Sequence, residues 1–230
     1  MTTGAKLQTL DRGIAALFLV ARSEGGLKIA ELAEKLALNR AIVYRLVATL
    51  ADHGMVQRLA NGRIVLGSGA YLLEAHSEGS IRALARPMIE ALAESTNATA
   101  FLSIAHGSDC VALLTAEPRN AFINIQYRVG SRHPLTRGAV GLAILSGRPE
   151  RPGDPEVVRS ARRDGYCVTR GELQPGAVGV ASPIHMPARG FAGIELATGV
   201  VALENLNLEL ACEAVKQAAA KLSAQLSGQA

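Results

Sequence analysis

The stretch Glu31-Leu32-Ala33-Glu34-Lys35-Leu36-Ala37-Leu38-Asn39-Arg40-Ala41-Ile42-Val43-Tyr44-Arg45-Leu46-Val47-Ala48-Thr49-Leu50 decides the fold. Ile42, Val43, Leu46, Val47 and Leu50 recur at i, i+3, i+4 and i+7, which makes one apolar stripe on a helix beginning at Arg40. Asn39 precedes it as a good N-cap, because its side-chain oxygen can accept a free first-turn N–H. The opposite face carries Arg40, Ala41, Tyr44, Arg45 and Ala48: two cations and a phenol among methyl groups small enough to admit a groove wall. Upstream, Ile29, Leu32, Ala33 and Leu36 give a second short helix over Ile29–Leu36. Ala37-Leu38 makes the turn, and Leu38 fills the corner. Two helices at this spacing form a helix-turn-helix, whose second helix can enter a DNA major groove.

Outward from that pair, a first helix is predicted over Leu10–Ala21. It has Leu10, Ile14, Leu17 and Val20 on one inward stripe and stops before Gly25-Gly26. Downstream, Met55–Arg58 and Ile64–Leu66 flank Asn61-Gly62. This dipeptide suits a two-residue type I′ hairpin, which needs positive φ at both central positions. A hairpin after the second helix reads as the wing of a winged helix, with Arg58 and Arg63 on or beside it. The expected DNA-contacting set is Asn39, Arg40, Ala41, Tyr44, Arg45, Arg58 and Arg63. The rival reading is a ligand-sensing, oligomerising module whose winged helix contacts protein.

The 230 residues carry a net charge of +4. Residues 1–75 hold nine Lys/Arg against six Asp/Glu, and the remainder fifteen against fourteen. The excess therefore sits where groove-reading elements are expected, as attraction to phosphate requires. It is small, which argues for two copies on one DNA site. Cys110, Cys167 and Cys212 have neither disulfide nor zinc spacing. With no signal-peptide core and no apolar run of membrane length, a cytoplasmic protein without a membrane partner is expected.

Beyond Gly67-Ser68-Gly69, a short helix over Ala70–His76 reads as a linker, and Ser80 can cap a helix over Ile81–Ser95 that contains Pro87. Strands are predicted at Phe101–Ala105, Cys110–Leu114, Phe122–Tyr127, Val178–His185 and Phe191–Leu196. Helices are predicted after Pro134, at Glu156–Arg163 and at Leu203–Leu226. The mixture lacks βαβ regularity, so the fold class is α+β with an antiparallel sheet.

Several stretches, in order, carry a family resemblance: Leu7-Gln8-Thr9-Leu10-Asp11-Arg12-Gly13; Tyr44-Arg45-Leu46 with Thr49-Leu50; Gly130-Ser131-Arg132-His133-Pro134-Leu135 leading into Gly138-Ala139-Val140-Gly141; Arg163-Asp164-Gly165-Tyr166; and Glu172-Leu173-Gln174-Pro175-Gly176 running to Val180-Ala181-Ser182-Pro183. Together they resemble the IclR family of bacterial transcriptional regulators over almost the whole chain. The resemblance implies a winged helix-turn-helix DNA-binding domain (1–68), a linker helix (69–80) and a GAF-like effector-binding domain (81–230). It also implies homodimers or homotetramers on palindromic double-stranded operators, no cofactor, and a small-molecule effector. The chain departs from the family pattern at Lys28, in place of a capping threonine, and at Ala41-Ile42, in place of Ser-Thr. It departs again at Leu135-Thr136-Arg137-Gly138-Ala139-Val140-Gly141-Leu142, where the family reads Leu-His-Ala-Thr-Ala-x-Gly-Lys.

By motif, the resemblance puts Thr136, Arg137, Ala139, Val140, Thr169, Ala177, Gly179, Ser182, Leu196 and Thr198 around the effector. Backbone N–H groups near Gly138–Val140 suit an anion, and Arg137 can add a charge-assisted bond. A small organic acid is the expected effector. No nucleophile elbow, zinc-binding His pair, phosphate loop or dinucleotide fingerprint occurs, and the five histidines are scattered, so an enzyme is not expected.

Overall fold

The computed structural model describes residues 6–75, 81–119, 125–185 and 194–227, with the side chains of residues 71, 74 and 75 excepted. It separates into two compact units, 1–80 and 81–230.

The first unit contains α1 (Gln8–Ala21), α2 (Ile29–Leu36), α3 (Arg40–Asp52), β1 (Val56–Arg58), β2 (Ile64–Leu66) and α4 (Ser68–Ala75). Ala16, Val20, Leu32, Val43, Val47, Val56 and Ile64 form one core, and burying each aliphatic side chain there contributes about 1.5–3 kcal/mol. Helix α2 starts without a side-chain cap from Lys28, but the Glu31 carboxylate accepts the Lys28 N–H at 2.8 Å, the reciprocal half of a capping box. It ends on Ala37, left-handed at φ 51°, and Leu38 N–H bonds back to Ala33 O at 3.0 Å. This closes the helix-to-helix corner.

Two expectations fail here. Of the expected α1 stripe, Val20 is buried and Leu17 packs against the core with Ala16, while Leu10 is 58 % and Ile14 46 % exposed. Thus Leu10 and Ile14 face away from the core, in a groove shared with Leu46, Leu50 and Met55. The wing turn is not type I′. Gly62 alone has positive φ (79°), Gly62 N–H bonds Leu59 O at 2.9 Å, and Leu59 N–H bonds Arg63 O at 2.8 Å. Ala60 and Asn61 make an ordinary turn, and Gly62 takes the left-handed step of a three-residue loop.

The second unit contains α5 (Ile81–Thr96), β3 (Thr99–His106), β4 (Asp109–Ala116), β5 (Arg132–Pro134), α6 (Gly138–Ser146), α7 (Glu156–Asp164), β6 (Cys167–Arg170), β7 (Ala177–Ile184), β8 (Leu196–Leu203) and α8 (Leu208–Leu226). The strands form one sheet in the order β5-β4-β3-β8-β7-β6, antiparallel at every pairing. Alternation along the strands makes two cores. Ala100, Leu102, Val180, Leu196 and Val200 pack under α5 and α8. Phe101, Cys110, Cys167, Ala181 and Ala197 pack under α6 and α7.

The α+β class with an antiparallel sheet holds, and individual elements move. Ile125–Tyr127 is not strand, and the strand paired to β4 is instead β5. Strand β6 has no counterpart among the sequence expectations. Strand β8 begins at Leu196, where the expected strand ended, and continues to Leu203, so α8 starts later than expected. The expectations at residues 76, 80, 122–124 and 191–193 lie outside the described residues. Pro87 lies inside α5 and does not begin it.

Candidate functional site

In the first unit the candidate site is the outer face of α3. Val43, Leu46 and Val47 are buried, whereas Arg40, Ala41, Tyr44 and Arg45 are exposed, Tyr44 to 50 %. Asn39 caps the helix by accepting the Ala41 N–H at 2.9 Å, so its side chain orders the first turn. Among the described residues, the Arg40 and Arg45 guanidiniums have no hydrogen bond or ion pair within the chain, which leaves both for an external acceptor. Arg58 on β1 is also exposed and lies beside the Gly62 turn. Arg63 differs from the other three arginines. Its guanidinium donates to Gly26 O at 2.6 Å and lies 3.8 Å from the Glu31 carboxylate, so it ties the wing to the start of α2. Gly26 must be glycine for this, since a Cβ there would fall 2.3 Å from Ile64 O.

In the second unit a cavity of about 310 Å³ opens between the sheet and the start of α6. Of the ten residues expected around an effector, Ala139, Val140, Thr169, Ala177 and Gly179 line it. Thr169 and Gly179 are cross-strand partners, and a Cβ on Gly179 would sit 3.3 Å from Ala139 Cβ. Glycine thus keeps the volume open.

The other five stand elsewhere. Thr136 and Arg137 are exposed on the loop before α6 and do not line the cavity. Ser182, Leu196 and Thr198 lie on the opposite face of the sheet, because strand side chains alternate and these positions share the parity of Val180 and Val200. Ser182 Oγ donates to Gly165 O at 2.7 Å and Thr198 Oγ1 to Phe101 O at 2.9 Å, while Leu196 is buried in the α5–α8 core.

Several lining residues were outside the expected set: Phe101, Tyr127, Arg132, Glu172 and Val201 among them, along with His133, the one histidine whose place before Pro134 put it near the pocket. Phe101 and Tyr127 meet edge to face, ring centroids 5.0 Å apart. Burial pushes the Tyr127 hydroxyl up to about 12, with Cys110 adding to the effect and Ser103 opposing it. Among the described residues, the Tyr127 and Ser103 oxygens are both buried without a well-formed hydrogen bond. The His133 imidazole lies 3.3 Å from Cys110 Sγ, and burial holds it below its ordinary value against the opposing effect of the bonds it donates to the Pro134 and Arg137 backbone. Arg132 is engaged by Asp109 at 2.8 Å. Parity along β3 and β8 predicts Phe101 and Val201 once the register is known. Tyr127 arrives on the irregular approach to β5, and Arg132 and His133 on β5 itself, a strand of three residues too short to carry a periodic signature.

The start of α6 does hold a carboxylate, and it belongs to the chain itself. Gly138 N–H donates to Glu172 Oε2 at 2.7 Å, and the Arg137 guanidinium donates to the Glu172 carbonyl.

Comparisons with known proteins bear on both units. The model of the IclR helix-turn-helix domain matches residues 9–60, and that of the bacterial transcriptional regulator IclR C-terminal domain matches residues 73–153. The HTH-type transcriptional regulator BhcR of Paracoccus denitrificans (strain Pd 1222) is 28 % identical over 94 % of this chain and 86 % of its own length. The structure of an IclR transcriptional regulator from Alicyclobacillus acidocaldarius is similar at a TM-score of 0.78, with 23 % identity over 96 % of this chain and all (100 %) of that one. An IclR homolog from Microbacterium hydrocarbonoxydans, complexed with 4-hydroxybenzoate, has a TM-score of 0.76 and 20 % identity over 96 % of this chain and 99 % of that one. With both units matched by models of one family, the chain belongs to the IclR family of bacterial transcriptional regulators, DNA-binding proteins whose C-terminal domain takes an effector.

Proposed function

We propose that this regulator grips a palindromic operator in the cytoplasm as a homodimer or homotetramer. Arg40, Ala41, Tyr44 and Arg45 of α3 face the major groove, and Arg58 on the wing reaches phosphate. Asn39 and Arg63 act one step back, ordering the first turn of α3 and anchoring the wing. The observation that carries this reading is the division of α3 into a buried aliphatic side and an exposed side whose two arginines have no partner within the described chain. Arginine grips phosphate or guanine bidentately, and most protein–DNA hydrogen bonds go to the backbone. The family's DNA-binding function leaves the protein-contacting alternative without support.

The effector in this reading is a small organic acid in the cavity beneath α6. Its volume, about 310 Å³, falls at the small end of ligand sites. Phe101, Val140 and Val201 supply apolar walls, and the helix start supplies N–H groups for a carboxylate. The acid bound by the Microbacterium homologue supports the same class of ligand. The effector acts by binding more tightly to one of two arrangements of the dimer, since a ligand shifts an equilibrium only through differential affinity.

The test is a mobility shift with DNA from upstream of the protein's own gene, repeated with a panel of carboxylates. Specific retardation that at least one acid strengthens or weakens is the expected result. Retardation of no upstream fragment at low salt contradicts DNA recognition, and retardation that no acid alters contradicts the effector class.

A further inference from the structure

The turn between β6 and β7 carries this chain's own carboxylate to the position where an acid effector would be held. Helix α6 has no local side-chain cap, because Arg137 occupies the N-cap position. By contrast, Asn39 and Asn207 cap α3 and α8 from their own chain positions. The cap of α6 comes from Glu172, 34 residues away in sequence, which accepts the Gly138 N–H at 2.7 Å. Two further contacts seat the turn. The Arg137 guanidinium donates to the Glu172 carbonyl, and Leu173 covers Gly138 so closely that a Cβ there would fall 2.6 Å from Leu173 Cδ1. Gly138, at φ 73°, both adopts the left-handed backbone and leaves room for Leu173.

Glu172, Leu173 and Gln174 are also wall residues of the cavity. The rest of that wall has no free charge to attract an acid. Arg132 is paired with Asp109, and burial lowers the His133 pKa below its ordinary value, which works against a positive charge there. On another wall the Tyr127 hydroxyl is buried beside Ser103, with no well-formed hydrogen bond among the described residues.

We propose that Glu172 is a built-in competitor of the effector. An entering acid takes the Gly138 N–H from the Glu172 carboxylate, and the 171–176 turn leaves α6. The proposal rests on the acid reading of the effector and adds a regulatory device to it. The latched form lowers apparent affinity by the fraction of molecules in which the latch is open, so the chain responds only to high acid concentrations. Ligand entry is thereby coupled to movement of a loop, a physical event that a dimer can read.

Calorimetry on the full chain, with propionate, succinate and benzoate and their amides, tests it in the parent, Glu172→Gln and Glu172→Ala. Thermal melts verify that both variants fold. The variants are expected to bind the preferred acid at least tenfold more tightly than the parent, with amide affinity unchanged. Hydrogen exchange in the 171–176 turn of the parent is expected to rise when that acid binds. If the parent binds an acid and both variants bind it equally or more weakly, the latch is overturned and the acid reading stands. Slower exchange in the turn on binding also overturns the latch, because Glu172 then closes over the ligand. If no acid binds parent or variants, both readings fall together.

Discussion

Ala37 closes the turn between α2 and α3 in the left-handed region, at φ 51°, where a Cβ is a burden that glycine does not carry. Ala37→Gly is expected to stabilise the first unit by about 1 kcal/mol, the approximate cost of a left-handed L-residue, read as a higher urea midpoint. An unchanged or lower midpoint contradicts this account of the corner. The cysteines make a second case. Burial pushes the Cys110 and Cys167 thiols up to about 12, so neither offers thiolate near neutral pH. Iodoacetamide at pH 8 is expected to leave both unmodified in the native protein and to label both after unfolding, as followed by peptide mass spectrometry. Rapid native labelling of either one would show that its pocket opens to solvent. Arg63 marks a limit of sequence reading at this scale. Its charge and place beside the wing suggested DNA, yet the carbonyl that holds it, Gly26 O, is 37 residues away and has no signature in the chain.

The elements were legible where periodicity is strong. Helices α2 and α3 lie where the apolar spacing puts them, because a stripe at i, i+3, i+4 and i+7 admits one way of packing. Helix α1 was placed correctly, and its expected stripe holds at Leu17 and Val20 but not at Leu10 and Ile14. It is apolar on more than one side, and Leu10 and Ile14 fit a stripe as well as Ala16 and Val20 do. The sheet was recognised as antiparallel, but β8 was misplaced by several residues, and a strand's parity decides which side chains reach the cavity. Leu196 and Thr198, carried over by motif without a register, fall on the other face. Element-level packing also predicts a pH response around β5. His133 has a folded value below its ordinary 6.5, chiefly through burial among Cys110 and the β4–β5 strands. The unfolded chain therefore binds more protons below pH 6.5, so stability is full above that value and declines as pH falls through it. The depressed carboxylates Asp154, Glu156 and Glu213 ordinarily titrate at 3.8 to 4.5, so their contributions are lost only in stronger acid. Melting temperature is expected to drop between pH 7 and about 5, and His133→Gln to flatten that drop. An equal slope in the variant assigns the acid sensitivity elsewhere.

At the scale of the whole molecule, the net charge of +4 is modest, so in the proposed reading DNA affinity comes from a few well-placed cations on each of two or more copies of α3. The family was legible from motif order in the sequence. The latch at Glu172 was not, because it joins the start of α6 to a turn 34 residues away. The salt dependence of operator binding tests the central claim most directly. Affinity is measured by mobility shift from low to moderate salt for the parent and for Arg40→Ala/Arg45→Ala. Both arginines are exposed and unpartnered within the described chain, so the variant is expected to melt like the parent. The parent should lose affinity steeply as salt rises, with a log–log slope of about −0.9 for each neutralised phosphate. The variant should bind at least tenfold more weakly, with a slope shallower by up to about 2. A folded double variant that keeps the parent's affinity and slope would contradict the claim that the outer face of α3 reads DNA.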